Sequence, residues 1–392
     1  MKHRVLIFAL IVALVAPSTA GAAAPEDDFE VSGWIPYWAV SGGTKSARSN
    51  LNELSAVMPF SYTVKSDGTL NDLGKMSKSS WKRLISDAKK KDVRVTPTIM
   101  SSNGTIIHAI LSDPGKRADH IHEIVRMVEK GKYDGVDIDY ESKLAATRPY
   151  FSAFLNELAD ELDGKFLSCT IEARTPPDSL YRTVPSSIEY ANDLEEIDRY
   201  CDRVNVMTYD QQRADLPLND AAKGAPYYPV ADPAWVRKVV ELMARDIDKD
   251  KLVIGVASYG REVTLDVAPE WFKSYTSVRA VNPGDALATA KKQKVKASEN
   301  KAGEQSYTYL AKDAGVKLRD LDVPSRPKGN DIALAALEYA NETGKTVRVR
   351  VVWWSDAAAV ADKVALAKDL GVRGVALFKI DGEEDEDIWD LF

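Results

Sequence analysis

Short apolar runs alternate along this chain with longer segments in which apolar residues recur every three or four positions. The runs are Val31–Tyr37, Ala56–Tyr62, Val93–Met100, Gly135–Tyr140, Phe166–Ile171, Val204–Tyr209, Leu252–Ala257 and Gly374–Ile380. Each has the length and bounding of a buried strand. Segments such as Ser79–Lys91, Arg117–Lys130, Pro149–Leu162, Pro233–Ile247 and Asp356–Leu370 have the helical period. Eight β units separated by helices predict an α/β fold, a (β/α)8 TIM barrel. A doubly wound open sheet is the alternative, but no Gly-rich phosphate loop follows any of the strands. One connection is too long for a simple crossover: about 116 residues separate Ala257 from Gly374. Ser306–Leu310 and Val347–Trp354 read as strands there, with Asp331–Glu342 as a helix between them. The pattern predicts a small α+β insertion, about 262–350, carried between strands seven and eight. Lys291–Lys301 within it reads as a solvated face.

Residues 1–24 break this pattern. Lys2, His3 and Arg4 precede an apolar run from Val5 to Ala16, and Ala20-Gly21-Ala22 offers a cleavage site. That is the three-part pattern of a secretory signal peptide, with an apolar run too short to span a bilayer. Export to the cell envelope or beyond is expected, with the barrel domain over 30–392 and no membrane attachment after cleavage. The formal charge of the 392-residue chain is −7, and losing Lys2 and Arg4 makes it −9 (−7 − 2). Net acidity argues against nucleic acid as a partner. With 45% hydrophobic and 28% charged residues, a folded globular protein is expected. Only Cys169 and Cys201 occur, so one bridge or two free thiols are the options. His120 and His122 lie two apart on a predicted helix, do not share a face, and read as surface residues rather than metal ligands.

The fourth apolar run carries the candidate chemistry. Tyr133-Asp-Gly-Val-Asp-Ile-Asp-Tyr-Glu141 places Asp137, Asp139 and Glu141 two residues apart, on one face of a strand. Carboxylates so crowded repel one another, and at least one pKa must move. No histidine accompanies them, which disfavours a metal-dependent hydrolase. Other strand ends add Tyr62, Glu172 and Arg174, Asp210, Tyr259 and Arg261, with Trp34, Tyr37 and Trp38 at the first strand. Glu172 and Arg174 read equally as an ion pair or as substrate contacts, and one of Trp353 and Trp354 is free to face a cleft. Rings and acids at one barrel mouth suit a sugar, because rings stack on pyranose faces and acids bond hydroxyls.

Asp134-x-x-Asp137-x-Asp139-x-Glu141 resembles the signature of glycoside hydrolase family 18, the chitinases and related N-acetylglucosaminidases. Met207-Thr208-Tyr209-Asp210 is similar to that family's sixth-strand motif, and Ile254–Gly260 to its seventh strand. Trp34-Ile-Pro-Tyr-Trp38 and the compact insertion resemble the bacterial branch that includes spore cortex-lytic enzymes.

The resemblance implies hydrolysis of β-1,4 linkages in a polysaccharide containing N-acetylglucosamine, in peptidoglycan or chitin, assisted by the substrate's own 2-acetamido group. Glu141 would be the general acid, Asp139 would orient the acetamide, Asp137 would share a proton with Asp139, and Tyr209 would hold the acetamide oxygen. Asp210, Met207, Trp34, Tyr37, Tyr62, Tyr259, Arg261 and Phe378 would contact the sugar. Asp134 would be structural. No cofactor and no metal are needed on that route, and a monomer is expected. Phe378 stands where the family usually has a Trp under the cleaved sugar, and a smaller ring covers less of it. A non-catalytic sugar-binding relative is the alternative, and such proteins usually lack the acid that Glu141 supplies here.

Overall fold

The computed structural model describes residues 29–392, so the signal-peptide segment lies outside the described residues. Seven strands follow one another with helices between them: β1 (Glu30–Pro36), β2 (Ala56–Val64), β3 (Thr98–Ser101), β4 (Gly135–Tyr140), β5 (Phe166–Glu172), β6 (Arg203–Met207) and β7 (Leu252–Ala257). Four strands of an insertion come next: β8 (Gly260–Ala268), β9 (Trp271–Val281), β10 (Gln305–Leu310) and β11 (Val347–Trp354). The last barrel strand is β12 (Gly374–Phe378). β1 pairs in parallel with both β2 and β12, and β12 pairs with β7, so the ring of eight is closed. Closure rules out the open doubly wound sheet and establishes the TIM barrel.

Local chemistry sets the helix starts. Asp113, Asp193, Asp232 and Asp356 each accept a backbone N–H of the helix they precede, and Pro114 and Pro233 open two of those helices. The helix expected from Arg117 therefore begins at Pro114 and runs to Gly131. The run Val93–Met100 is not one strand. Pro97 has no N–H to give the ladder, and the run splits into Arg94–Val95 and Thr98–Ser101. His120, expected on the surface, is buried on that long helix, its ring nitrogens 2.6 Å from the Gly68 carbonyl and 2.6 Å from Tyr140 Oη. A satisfied core histidine results, because the helix turns this position toward β4.

The insertion is an antiparallel sheet in the order β9-β8-β11-β10, extended by the short strand Ser298–Glu299. Its helices are Pro283–Gln293 and Asp331–Thr343. Trp353 and Trp354 alternate across β11 into two separate apolar clusters, so neither reaches the cleft. The lysines of 291–301 lie largely exposed, as the solvated-face reading expects.

The bottom of the barrel is closed by charge. Glu30 is 5% exposed and is contacted by the fully buried Arg203, by Arg373 Nε at 2.6 Å and by Arg94 at 3.9 Å. The Phe166 ring lies beneath Arg94, 4.0 Å from its centroid. Gly374 starts β12 where a Cβ would meet the Glu30 carbonyl at 1.9 Å, so no other residue fits that crossing. Burial alone would raise the Glu30 pKa, but the guanidiniums of Arg203 and Arg373 outweigh it and hold it at about 2, against an ordinary 4.5. A depressed carboxylate pKa gives stability that is complete above the unfolded value and lost as pH falls toward the folded one. Urea unfolding should thus show wild-type stability declining between about pH 4.5 and pH 2. Glu30→Gln should be weaker at pH 7 by about 3 kcal/mol, with a shallower acid decline. An unchanged midpoint at pH 7 would contradict this role.

Candidate active site

The C-terminal ends of the barrel strands enclose a cavity of about 650 Å3. Its floor and walls place Glu141 and Asp139 of strand four opposite Tyr209 and Asp210, with Met207, Tyr259, Arg261, Trp34 and Phe378 around them. Most of the residues singled out by motif and strand-end position therefore meet in one place.

Asp137 sits one layer below, fully buried, and does not line the cavity. Its Oδ2 accepts from Trp34 Nε1 at 3.1 Å and Thr98 Oγ1 at 2.8 Å. Its Oδ1 accepts from Thr170 Oγ1 at 2.9 Å and Asn205 Nδ2 at 3.3 Å. These donors occupy the carboxylate, and no hydrogen bond joins Asp137 to Asp139 in this arrangement. Thr170 and Asn205 were not picked out from the sequence. Their signal was there: polar residues at alternate, inward positions of two otherwise apolar strands.

Asp139 is also buried, and its Oδ1 has no hydrogen-bond partner. Burial, then the charges of Glu141, Asp137 and Glu172, push its pKa well above the carboxylate range. Burial likewise raises Glu141, Glu172 adds to the rise, and Lys143 opposes it. Lys143 is itself buried beside these acids, donates to the Tyr140 carbonyl, and has its own pKa lowered by burial. Glu172 forms no ion pair with Arg174: its Oε1 accepts from the Ser142 amide at 2.7 Å, while Arg174 stacks 3.8 Å from the Tyr190 ring centroid. Ser142, directly after Glu141, and Asp210 both have φ of 54°, so left-handed turns carry the chain away from both acids. The turn at Ser142 abuts Gly104, where a Cβ would lie 2.1 Å from the Ser142 carbonyl.

Asp210 is fixed from the insertion side. Arg261 grips both of its oxygens, at 2.8 and 2.5 Å, and Tyr259 Oη donates to it at 2.8 Å. Phe378 lies parallel to Tyr209, with centroids 5.5 Å apart and planes at 16°. Trp34, Phe60 and Tyr259 meet the same phenyl ring edge-on. Asp134 stands away from the cavity, and its Oδ2 accepts from the Val95 amide at 2.8 Å, tying the start of β4 to its neighbour.

Two expected contacts are corrected. Tyr62 does not reach the cavity. The β2–β3 register shifts between Phe60 and Tyr62, which turns Tyr62 to the outside of the barrel and leaves Phe60 as the cavity residue. Tyr37 is likewise displaced, because β1 ends at Pro36 and a short 3-10 turn follows over Tyr37–Ala39. That turn presents Trp38 to the cavity instead, with its ring 54% exposed. Cys169 of β5 and Cys201 are joined by a disulfide, with Cα atoms 6.0 Å apart.

Comparison with known proteins agrees with this geometry. The family model described as glycosyl hydrolases family 18 matches residues 32–383. The chain is 23% identical over 312 residues to the uncharacterized glycosylase YvbX of Bacillus subtilis, covering 77% of this chain and 75% of that one. It is 23% identical over 273 residues to the cortical fragment-lytic enzyme of Bacillus subtilis, covering 69% of this chain and about half, 52%, of that protein. Among solved structures, a class V chitinase from Pseudomonas fluorescens Pf-5 superposes with a TM-score of 0.69 at 20% identity, over 92% of this chain and 98% of that one. The chain belongs to glycosyl hydrolase family 18 and is a glycosidase.

The buried donor set predicts the cost of losing Asp137. Asp137→Ala leaves several buried donors without an acceptor, and should lower unfolding stability by about 3 kcal/mol or more. Chemical denaturation checks this, and a loss below about 1 kcal/mol would show that those donors find other partners.

Proposed function

We propose that this family 18 glycosidase is exported and cleaves β-1,4 bonds that follow N-acetylglucosamine, by substrate-assisted hydrolysis with Glu141 as the acid. The observation that carries the reading is Glu141 at the mouth of β4, in one cavity with Asp139 and Tyr209, with its pKa raised by burial and by Glu172. A raised pKa extends upward the pH range in which the carboxyl holds its proton, which favours a general acid.

The reaction runs in two halves. The carbonyl oxygen of the substrate's 2-acetamido group attacks the anomeric carbon, and the glycosidic bond breaks. Glu141 gives its proton to the departing oxygen, and an oxazolinium ion forms. Water then adds to the anomeric carbon, the ring opens back to the acetamide, and the Glu141 carboxylate takes the water's proton. Two inversions leave the configuration retained. Asp139 faces the acetamide nitrogen and balances its developing charge. Tyr209 keeps its proton, since burial raises its pKa, and donates to the acetamide oxygen. Asp210, clamped by Arg261, contacts sugar hydroxyls, and Phe378 lies beneath the ring.

Peptidoglycan is the favoured polymer, because a cortical fragment-lytic enzyme stands among the sequence relatives. The leader pattern of residues 1–24 supports export, and the Cys169–Cys201 disulfide fits an oxidising compartment. The protein acts as a monomer. A sugar-binding protein without catalysis is disfavoured by Glu141 in the cavity beside Asp139.

Soluble fluorogenic N-acetylglucosamine oligomers test the assignment. Wild type should turn over, and Glu141→Gln should lose roughly 10²–10⁴-fold in kcat. Removing the Glu172 charge lowers the Glu141 pKa, and activity needs Glu141 protonated. Glu172→Gln should therefore remain active but lose activity at a lower pH on the alkaline side. Full activity in Glu141→Gln sinks the acid assignment, and an unmoved alkaline limb removes Glu172 from it.

A further inference from the structure

A second cavity, of about 290 Å3, lies between the loop after β6 and the tip of the β8–β9 hairpin. It shares both walls with the active site. On the loop, Ala214 lines the active site while its neighbour Arg213 lines the second cavity. On β9, Ala280 lines the active site while Trp271 and Tyr275 line the second cavity. Ala280 and Tyr275 are five residues apart along a strand, or about 17 Å. The second cavity thus lies beside the first, along the same two elements.

Its chemistry differs from that of the cleft. The cleft is lined by Asp139, Glu141, Glu172 and Asp210, with Arg261 already committed to Asp210. The cleft's other cation, Lys379, is paired with Asp381, so the cleft offers no uncommitted cation to a substrate carboxylate. In the second cavity Arg182 and Lys223 share Asp220, at 3.3 and 3.8 Å, and Glu270 adds a second acid. Arg213 forms no ion pair with a carboxylate among the described residues, although, behind Arg182 and Lys223, its charge helps to lower the Asp220 pKa, and its guanidinium stands 4.8 Å from the Tyr275 ring centroid. Tyr275 is fixed in turn, stacked on Tyr228 at 5.6 Å and accepting from the Tyr227 amide at 3.2 Å. Trp271 is 65% exposed, more than any other large apolar side chain of the described residues. A rigid ring holding a guanidinium outside any ion pair, beside an exposed indole, offers a bidentate carboxylate fork with apolar walls. A neutral polymer has no use for that fork.

We propose that this chamber seats a carboxylate of a peptide stem branching from the glycan, with Arg213 as its fork and Trp271 and Tyr275 as its walls. The inference rests on the hydrolase reading above and makes the polymer a peptide-bearing one.

The test uses peptide-bearing glycan strands with free carboxylates, the same strands with those carboxylates converted to methylamides, and neutral N-acetylglucosamine oligomers. Wild type should have a lower KM on the free-carboxylate strands than on the methylamide strands. Arg213→Ala should raise KM on the free-carboxylate strands by roughly tenfold or more, the loss of one charge-assisted fork. It should leave kcat there, and both constants on the other two substrates, as they are. Arg213→Lys should recover part of the KM. Equal KM values for wild type on the two peptide-bearing substrates, or an Arg213→Ala effect that is absent or the same on both, overturns the inference. So does a wild type active on neutral oligomers alone, which leaves the hydrolase reading standing. A wild type inert on all three removes that reading, and the inference with it.

Discussion

One carboxylate inside the barrel organises the rest. Asp137 of β4 takes hydrogen bonds from Trp34 of β1, Thr98 of β3, Thr170 of β5 and Asn205 of β6, so a single side chain ties four other strands to its own. A buried carboxyl group is costly unless its oxygens find partners, and here they find them. The next inward position of β4 holds Asp139, which lies above Asp137 and below Glu141 and lacks a partner for one oxygen. The strand's two-residue period thus sets a gradient from a satisfied carboxylate at the base to acids with raised pKa at the mouth. On the reading proposed above, Glu141 at the mouth supplies the proton for hydrolysis.

The shared face of Asp137, Asp139 and Glu141 was the most legible feature of the sequence, because strand alternation converts spacing into direction; the donors that occupy Asp137 come from four other strands and were not legible. The barrel was legible for a related reason. Its strands are buried on both faces and read as continuous apolar runs, and two of them, Gly135–Tyr140 and Leu252–Ala257, match the structure to the residue. Alternation failed where the backbone breaks its own period. A register shift after Phe60 sends Tyr62 outward, and the turn after Pro36 exchanges Tyr37 for Trp38. The hairpin of β8 and β9 left no apolar run to read, because β9 is exposed along most of its length. Glu172 stood at a strand end and was visible as a candidate. Its placement against the Ser142 amide depends on a neighbouring strand that no local pattern reveals.

The insertion is part of the site rather than an appendage. Tyr259 and Arg261, at the junction of β7 and β8, hold Asp210 from the far side, so the hairpin fixes a cleft residue carried by the strand-six loop. Phe378 answers from the end of β12 and is packed among rings from β1, β2, the strand-six end and the strand-seven end. A phenyl ring held this firmly is a fixed surface for a sugar. Beyond it, the walls carry the exposed Trp38 of the strand-one turn and Ala280 of the insertion hairpin.

On the proposed mechanism, the crowded acids of β4 serve the substrate's acetamide. Two oligomers that differ at a single position test it most directly, one carrying the 2-acetamido group on the sugar whose bond is cut and the other N-deacetylated there. Hydrolysis of the first alone, with the β-anomer as the first product seen by proton NMR, is the predicted result. Comparable rates on both would contradict the claim, because the acids would then be acting without the neighbouring group.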